Sequence, residues 1–424
     1  MTNASTLTHT FVAAQPPRPP QPAPAPASRT SVPVIRDVRQ ALDVARQFAR
    51  EIAAGAQARD EARVLPWREV EQFSQSGLWG ITVPREYGGA GVDTGTLTQA
   101  IGLIAAADGN FGHIPQNHYY ALEVLRVGGT HEQKTFFYDR VLRGERLGNA
   151  LAEIGHRDFK RRTQLVREPG GWFVEGEKFY CTGAVYAHWI PTLAIAQEQE
   201  QPRAYLVFVP RNAPGVSVTD DWDGFGQRLT GSGSVQFHRV RVEPEWVVPF
   251  TASFERPTTI GPFAQIIHAA LDAGIGHGAL QAMLPFIRER ARPWIDSGVD
   301  SASQDPLLLE QVGNVHLRLR AADALIARAA LTVDAAQRDS NEASVAAASV
   351  AVEQAKALST SASLLAGTKL FELAGTGATL AGQGYDRFWR NARTHTLHDP
   401  VRWKYHAVGN YVLNGVRPPR HGAI

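Results

Sequence analysis

One helix-length run in the C-terminal half limits what this chain can become. In "PLLLEQVGNVHLRLRAADALIARAALTVDAAQR", residues 306–338, Leu308, Val312, Val315, Leu319, Ala322 and Ile326 recur at steps of four and three. That spacing lays one continuous apolar stripe along a long helix. The next segment, "EASVAAASVAVEQAKALSTSASLLAGTKLFELAG", residues 342–375, carries Ala and Ser on every face. Such a composition suits a helix closely surrounded by others, with Gly375 as its expected C-cap. Two helices of this kind in succession need further helices to bury them, so residues 251–424 are expected to form a helical bundle.

Helical spacing also marks "DVRQALDVARQFAREIAAGAQARDEARVL", which starts at Asp37, and "TLTQAIGLIAAAD". Between them "GLWGITVPREYGGAGVD", residues 77–93, is broken by glycines and a proline and is expected as a compact loop. After Glu153 the pattern changes to short β-branched runs, "GGWFVEGEKFYC", "TLAIAQ", "RAYLVFVP" and "GSVQFHRVRV", separated by turn residues. The expected fold class is therefore mostly α with a central β domain. Its parts are a proline-rich tail without a packed core over 1–36, a helical domain over 37–150, a β domain over 151–250 and a helical bundle over 251–424.

The 43 basic and 41 acidic side chains leave a formal charge of +2 over 424 residues, so nothing advertises a polyanionic partner such as nucleic acid. The densest basic run, His156 to Arg162, is expected as solvated surface rather than a phosphate site. Cys181 is the single cysteine, which excludes an intramolecular disulfide and fits a reducing compartment. No apolar run is long enough to span a membrane, and the N-terminus lacks a secretory pattern, so the expected location is the cytoplasm. No metal-ligand spacing, phosphate loop or nucleophile triad is present, and no metal is expected.

The segment 77–93, together with "GWFVEGEKFYCTGAVYAHWI", "WDGFGQRLTGSGSVQFHRVRVEPEWVV" and "GYDRFWRNART", resembles the acyl-CoA dehydrogenase superfamily in four blocks in the right order. The resemblance runs from Asp37 to the C-terminus. It implies that superfamily's fold, an N-terminal helical domain, a middle domain of β-barrel or sandwich type and a C-terminal four-helix bundle. Two departures concern the substrate side. Dehydrogenases carry a catalytic glutamate in "YEG" after an "RDAR"-like motif, whereas "RNAR" here leads to "LHDPV", with His398, Asp399 and Pro400 at those three positions. The family's "TEPxxGSD" block is replaced by "AEIGHRDF". An FAD-dependent dehydrogenase is therefore the alternative, and a flavin-free scaffold a third.

"RPWIDSG" and "RTHTLHDP" are instead similar to the flavin-dependent monooxygenases of the same superfamily, the branch of dibenzothiophene monooxygenases and bacterial sulfur-acquisition oxidoreductases. The match is closest to the sulfur-acquisition group at "IPQNHYYALEVLR" and "HDPVRWKYHAVGNYVLNG". This resemblance implies reduced FMN delivered by a separate NAD(P)H-dependent flavin reductase. It also implies activation of molecular oxygen as a flavin C4a-hydroperoxide and oxygenation of sulfur in a small organosulfur compound. FMN is favoured over FAD because "RPW" replaces the superfamily's "RxxFG". A homotetramer is implied as well, with Arg390 or Arg393 reaching across an interface.

Carried onto this chain, the resemblance places Thr182 and Gly183 of "FYCTGA" beside the flavin, where the Thr182 hydroxyl is a donor; the alternative is a threonine that closes a turn. Asn149 is expected on the isoalloxazine edge, since its amide both donates and accepts. Trp222 lies over the ring system or walls the pocket, and Arg292 meets the phosphate end. His398 and His395 are the expected proton donor and acceptor, because imidazole exchanges protons near neutral pH. Asp399 then orients an imidazole. His118 and His113 are both candidates for a further active-site histidine, with His118 preferred.

Overall fold

The computed structural model describes residues 32–154, 160–198 and 201–422. The proline-rich tail lies almost wholly outside the described residues, as do His156 to Phe159 of the basic run. Chain order opens with α1 (Val38–Ala53), capped by the Asp37 carboxylate, which accepts from the Gln40 N–H at 2.8 Å. After α2 (Ala56–Ala62) and α3 (Trp67–Gln75), the glycine-broken segment buries Leu78, Trp79, Ile81, Val83 and Ala90. It packs these side chains into the core while Arg85, Glu86, Gly88 and Gly91 stay exposed. Then follow α4 (Thr94–Ala107), α5 (Gly109–His113), α6 (Gln116–Gly128) and α7 (His131–Leu142). Pro115 stands at the break between α5 and α6, where it cannot continue a hydrogen-bonded turn.

The middle region is one seven-stranded sheet in the order β5-β6-β2-β1-β3-β4-β7. The strands are β1 (Gln164–Glu168), β2 (Gly171–Lys178), β3 (Trp189–Glu198), β4 (Gln201–Pro210), β5 (Val216–Thr219), β6 (Ser234–Val242) and β7 (Val247–Pro249). Pairing is antiparallel except for β1 with β3, so the sheet is mixed. Val235, Phe237 and Val240 of β6 share one apolar cluster with Val207 and Val209 of β4, from the other half of the sheet. The sheet therefore curls around its own core.

The C-terminal region adds α8 (Thr251–Phe254), α9 (Ile260–Glu289), α10 (Pro306–Arg338), α11 (Glu342–Ala374), α12 (Asp386–His395) and α13 (Arg402–Asn414). Helix α9 packs against α4, α6, α10, α11 and α12 and is buried on nearly every face. The stripe on α10 faces inward as its spacing requires, with Val315, Leu319, Ala322 and Ile326 buried and Leu308 and Val312 half-buried against the cluster of Val315, Leu319 and Ala322. Helix α11 ends at Gly375, as its sequence indicates. Leu319 has no exposed surface, so Leu319→Ala is expected to lower the unfolding free energy by about 2–5 kcal/mol, read from a urea titration.

Candidate active site

Four imidazoles converge where α5, α9 and α12 meet. His113 is the last residue of α5, His268 projects from α9, His395 ends α12, and His398 sits in the turn that Pro400 keeps from continuing as helix. Ring centroids lie 4.9 Å apart for His113 and His395, 5.1 Å for His268 and His395, and 4.1 Å for His268 and His398. His113, His268 and His395 are buried, whereas the His398 side chain is 44% exposed.

Behind this cluster stands Asp272, one turn along α9 from His268 and itself without exposed surface. Its Oδ2 accepts from Lys356 Nζ at 2.7 Å and from Thr360 Oγ1 at 2.9 Å, both on α11. Its Oδ1 pairs with His395 Nδ1 at 2.5 Å. Burial alone would raise the Asp272 carboxyl, but Lys356 and then His395 outweigh it and hold the group well below the usual carboxylate range. His395 is shifted downward because burial outweighs the attraction of Asp272. Burial pushes His113 and His268 well down, and the neighbouring imidazoles push in the same direction.

A second hydrogen-bond chain runs from the cluster to the flavin-side residues expected from the sequence. Gln227 Nε2 donates to the Gly109 carbonyl at 2.7 Å, so its Oε1 faces His113 Nδ1 at 3.0 Å and accepts from it. The Gln227 carbonyl accepts from Thr230 Oγ1 at 2.9 Å, Thr230 Oγ1 meets Ser232 Oγ at 2.6 Å, and Ser232 Oγ meets Thr182 Oγ1 at 2.8 Å. The Thr182 hydroxyl is thus tied to His113 through three residues. Gly183, next in the chain, adopts φ +76°, a backbone that favours glycine. Gly226 closes the other side, since a Cβ there would stand 2.0 Å from the Arg390 carbonyl.

Asn149 Oδ1 and His113 Nε2 are among the buried polar atoms of this region that have no hydrogen-bond partner among the described residues. Asn149 spends its amide on the Tyr180 carbonyl at 3.1 Å, which leaves the oxygen as a pure acceptor. Orphaned buried acceptors are rare in folded proteins and point to a missing donor. A flavin ring edge, with its N–H groups, supplies donors of the required kind. Asn149, Thr182 and Ser232 therefore fit the group that the sequence implies.

The remaining expected residues fall in several places. His118, preferred from the sequence, is pinned in the N-terminal core: its Nε2 donates to the Trp79 carbonyl at 2.9 Å and its Nδ1 accepts from the Leu147 N–H at 3.0 Å. The break at Pro115 turns α6 away from α5, so His113 enters the cluster and His118 does not. Asp399 lies 3.3 Å from His398 Nδ1, an ion-pair distance without hydrogen-bond alignment. Arg390 is tied within its own chain to Asp60, to Asp386 at 2.7 Å and to the Phe225 carbonyl at 3.0 Å, rather than extended toward a neighbour. Trp222 donates to the Gln227 carbonyl at 2.8 Å and lies 6.0 Å from the Tyr180 ring. Arg292 is exposed in the segment after α9, and no hydrogen bond or ion pair joins it to the site among the described residues.

His268, Asp272, Lys356 and Gln227 were not anticipated. Their signal was a histidine and an aspartate four apart in the otherwise apolar "FAQIIHAALDAGIG", and a lysine in the Ala-rich α11. One nitrogen each from His113, His268 and His395 lies within 4.8 Å of the others, a grouping that sequence spacing does not reveal. His268 Nδ1 and His395 Nε2 are already paired with each other at 2.9 Å, whereas His113 bonds Gln227 instead.

His118 has a folded pKa of about 3 against an ordinary 6.5, because burial disfavours its charged form. The unfolded chain then binds more protons in this window, and the stability held by neutral His118 is present above about 6.5 and lost as pH falls toward 3. The thermal midpoint is expected to drop across that window. His118→Ala removes that dependence and strands the Trp79 carbonyl and the Leu147 N–H, at about 1–3 kcal/mol each, measurable by denaturant titration.

Three domain models of the acyl-CoA dehydrogenase family match in succession, the N-terminal domain over residues 36–145, the middle domain over 153–240 and the C-terminal domain over 266–403. Dibenzothiophene monooxygenase of Rhodococcus erythropolis is 36% identical over 391 residues, covering 88% of this chain and 93% of that one. A probable FMNH2-dependent monooxygenase of Pseudomonas putida, SfnC, is 30% identical over 395 residues, covering 92% and 98%. The identity is thus higher to the dibenzothiophene enzyme than to SfnC, contrary to the closer match to the sulfur-acquisition group expected from the sequence. The crystal structure of FMN-bound TdsC from Paenibacillus sp. A11-2 superposes with a TM-score of 0.87 at 31% identity, covering 91% of this chain and 100% of that one. This chain belongs to the acyl-CoA dehydrogenase superfamily, in its branch of flavin-dependent monooxygenases.

Proposed function

We propose that the protein is a two-component monooxygenase that uses reduced FMN to place one oxygen atom of O2 on the sulfur of a small organosulfur compound. The observation that carries this is the hydrogen-bond chain from Thr182 through Ser232, Thr230 and Gln227 to His113, flanked by the orphaned Asn149 Oδ1 and His113 Nε2. Reduced FMN, supplied by a separate NAD(P)H-dependent reductase, would when bound supply the two electrons and two hydrogens with which O2 gives one oxygen atom to sulfur and releases the other as water. Every other part of the reaction falls to the chain.

Asn149 accepts from the ring edge, and Thr182 donates to the oxygen-bearing side with its own proton position set by Ser232. The turn at Gly183 and the indole of Trp222 shape the wall beside the ring. Arg292, exposed and uncommitted to the site, is assigned to the phosphate end. Burial of His113, His268 and His395 excludes water, which protects a reactive adduct from collapse to hydrogen peroxide. His398 is the histidine of the cluster with solvent access, so proton exchange with bulk water is assigned to it, with Asp399 as a charge partner 3.3 Å from its Nδ1. Assembly as a cytoplasmic homotetramer completes the proposal.

Rapid mixing of the anaerobic complex with reduced FMN against oxygenated buffer tests it. A transient adduct absorbance is expected before oxidised flavin appears. In Thr182→Ala that transient is expected to decay about fivefold faster, the equivalent of about 1 kcal/mol of lost hydrogen bonding. Direct reoxidation without a transient, in the presence and absence of an organosulfur compound, would overturn the proposal.

A further inference from the structure

The donors and acceptors around Asp272 leave no freedom in how two of the imidazoles are protonated. Asp272 is ionised and can only accept, so the hydrogen shared with His395 sits on His395 Nδ1. Neutral His395 then presents Nε2 as a lone pair, and the nitrogen facing it at 2.9 Å, His268 Nδ1, must carry a hydrogen. Neutral His268 in turn presents Nε2 as a lone pair. The chain Asp272, His395, His268 thus has one polarity from end to end. His113 matches it: with Nδ1 donating to Gln227, its Nε2 is a lone pair, buried and without a partner among the described residues.

We propose that Asp272, clamped by Lys356 and Thr360, is a positioning residue that fixes the Nδ1–H tautomers of His395 and His268, so that the cluster turns acceptor nitrogens toward the reacting groups. Carboxylates behind metal-free catalytic histidines serve this purpose in other folds, where they select tautomer and ring orientation without taking the proton. Lys356 matters as much as Asp272. Its ammonium can only donate, so it keeps the carboxylate charged and determines which way an amide would sit in its place. An asparagine at 272 would turn its oxygen to Lys356 and its NH2 to His395 Nδ1, which would force that nitrogen to accept. His395 Nε2 would then carry the hydrogen, His268 Nδ1 would accept it, and His268 Nε2 would become a donor. A single isosteric change would invert the polarity of the whole chain.

The assignment rests on the proposed function only for its effect on turnover, and the two are separable. Long-range 1H–15N spectra of the flavin-free protein labelled with 15N-histidine report tautomers directly, with His395 and His268 assigned by signal loss in His395→Gln and His268→Gln. Both are expected as neutral Nδ1–H rings in the wild type, and both are expected to switch to Nε2–H in Asp272→Asn. With reduced-FMN binding retained, sulfur oxygenation in that variant is expected to slow on the order of 100-fold, the usual weight of a misdirected acid–base group. An Nε2–H pattern at either ring in the wild type would overturn the assignment even if Asp272→Asn failed to fold. A folded Asp272→Asn protein with unchanged tautomers would overturn it as well. Inverted tautomers in a protein whose wild type oxygenates no sulfur compound would uphold it and instead defeat the proposed function.

Discussion

The carboxylate of Asp272 sits at the centre of α9 without exposed surface, and how its two oxygens are satisfied governs how three helices meet. One oxygen draws Lys356 and Thr360 of α11 onto α9, and the other draws the end of α12 onto the same point. Removing one partner of such a pair typically costs about 3–5 kcal/mol, because a charge is left buried alone. Replacing the whole group with apolar residues is often neutral or stabilising. Stability alone therefore does not require charges at this place in an otherwise apolar helix. What they supply is a fixed orientation of His395, and through it of His268.

The rest of the site is built against that fixed point. Helix α5 delivers His113 to His395, and Gln227 locks His113 from the opposite side while its backbone carbonyl organises Thr230, Ser232 and Thr182. The loop bearing Gln227 is held to α12 as well, since its N–H donates to Asn391 Oδ1 at 2.7 Å. The β domain and the bundle thus share one polar seam, lined by acceptors that the chain itself does not satisfy. Preorganised polar groups of this kind exert their effect because the surrounding apolar helices exclude water.

Much of the architecture was legible in the sequence. The α10 stripe, the helical spacing that starts at Asp37 and the change to short β-branched runs after Glu153 each follow from periodicity, which is a local property. The sequence offered site candidates where a motif keeps its residues adjacent, as in "CTG" and "HTLHDP". It was not legible where partners are brought together from distant segments. Asp272 and Lys356 stand 84 residues apart, and His268 and His395 stand 127 apart. His118 lies five positions on from His113 and beyond the break at Pro115, and its ring nitrogens are engaged by the Trp79 carbonyl and the Leu147 N–H instead of the cluster. Arg390, which the resemblance implied could reach across an interface, is engaged within the chain by Asp60, from α2, across 330 residues of sequence.

The central claim is that the flavin-side residues and the buried histidines form one pocket. A crystal structure of the anaerobic complex with reduced FMN tests it most directly. The isoalloxazine is predicted to lie between Thr182 and the histidine cluster, with a ring N–H donating to Asn149 Oδ1 and a donor from the ring, a bound water or an oxygen-site ligand on His113 Nε2. A ring bound elsewhere, with both atoms still buried and unpartnered, would contradict the account.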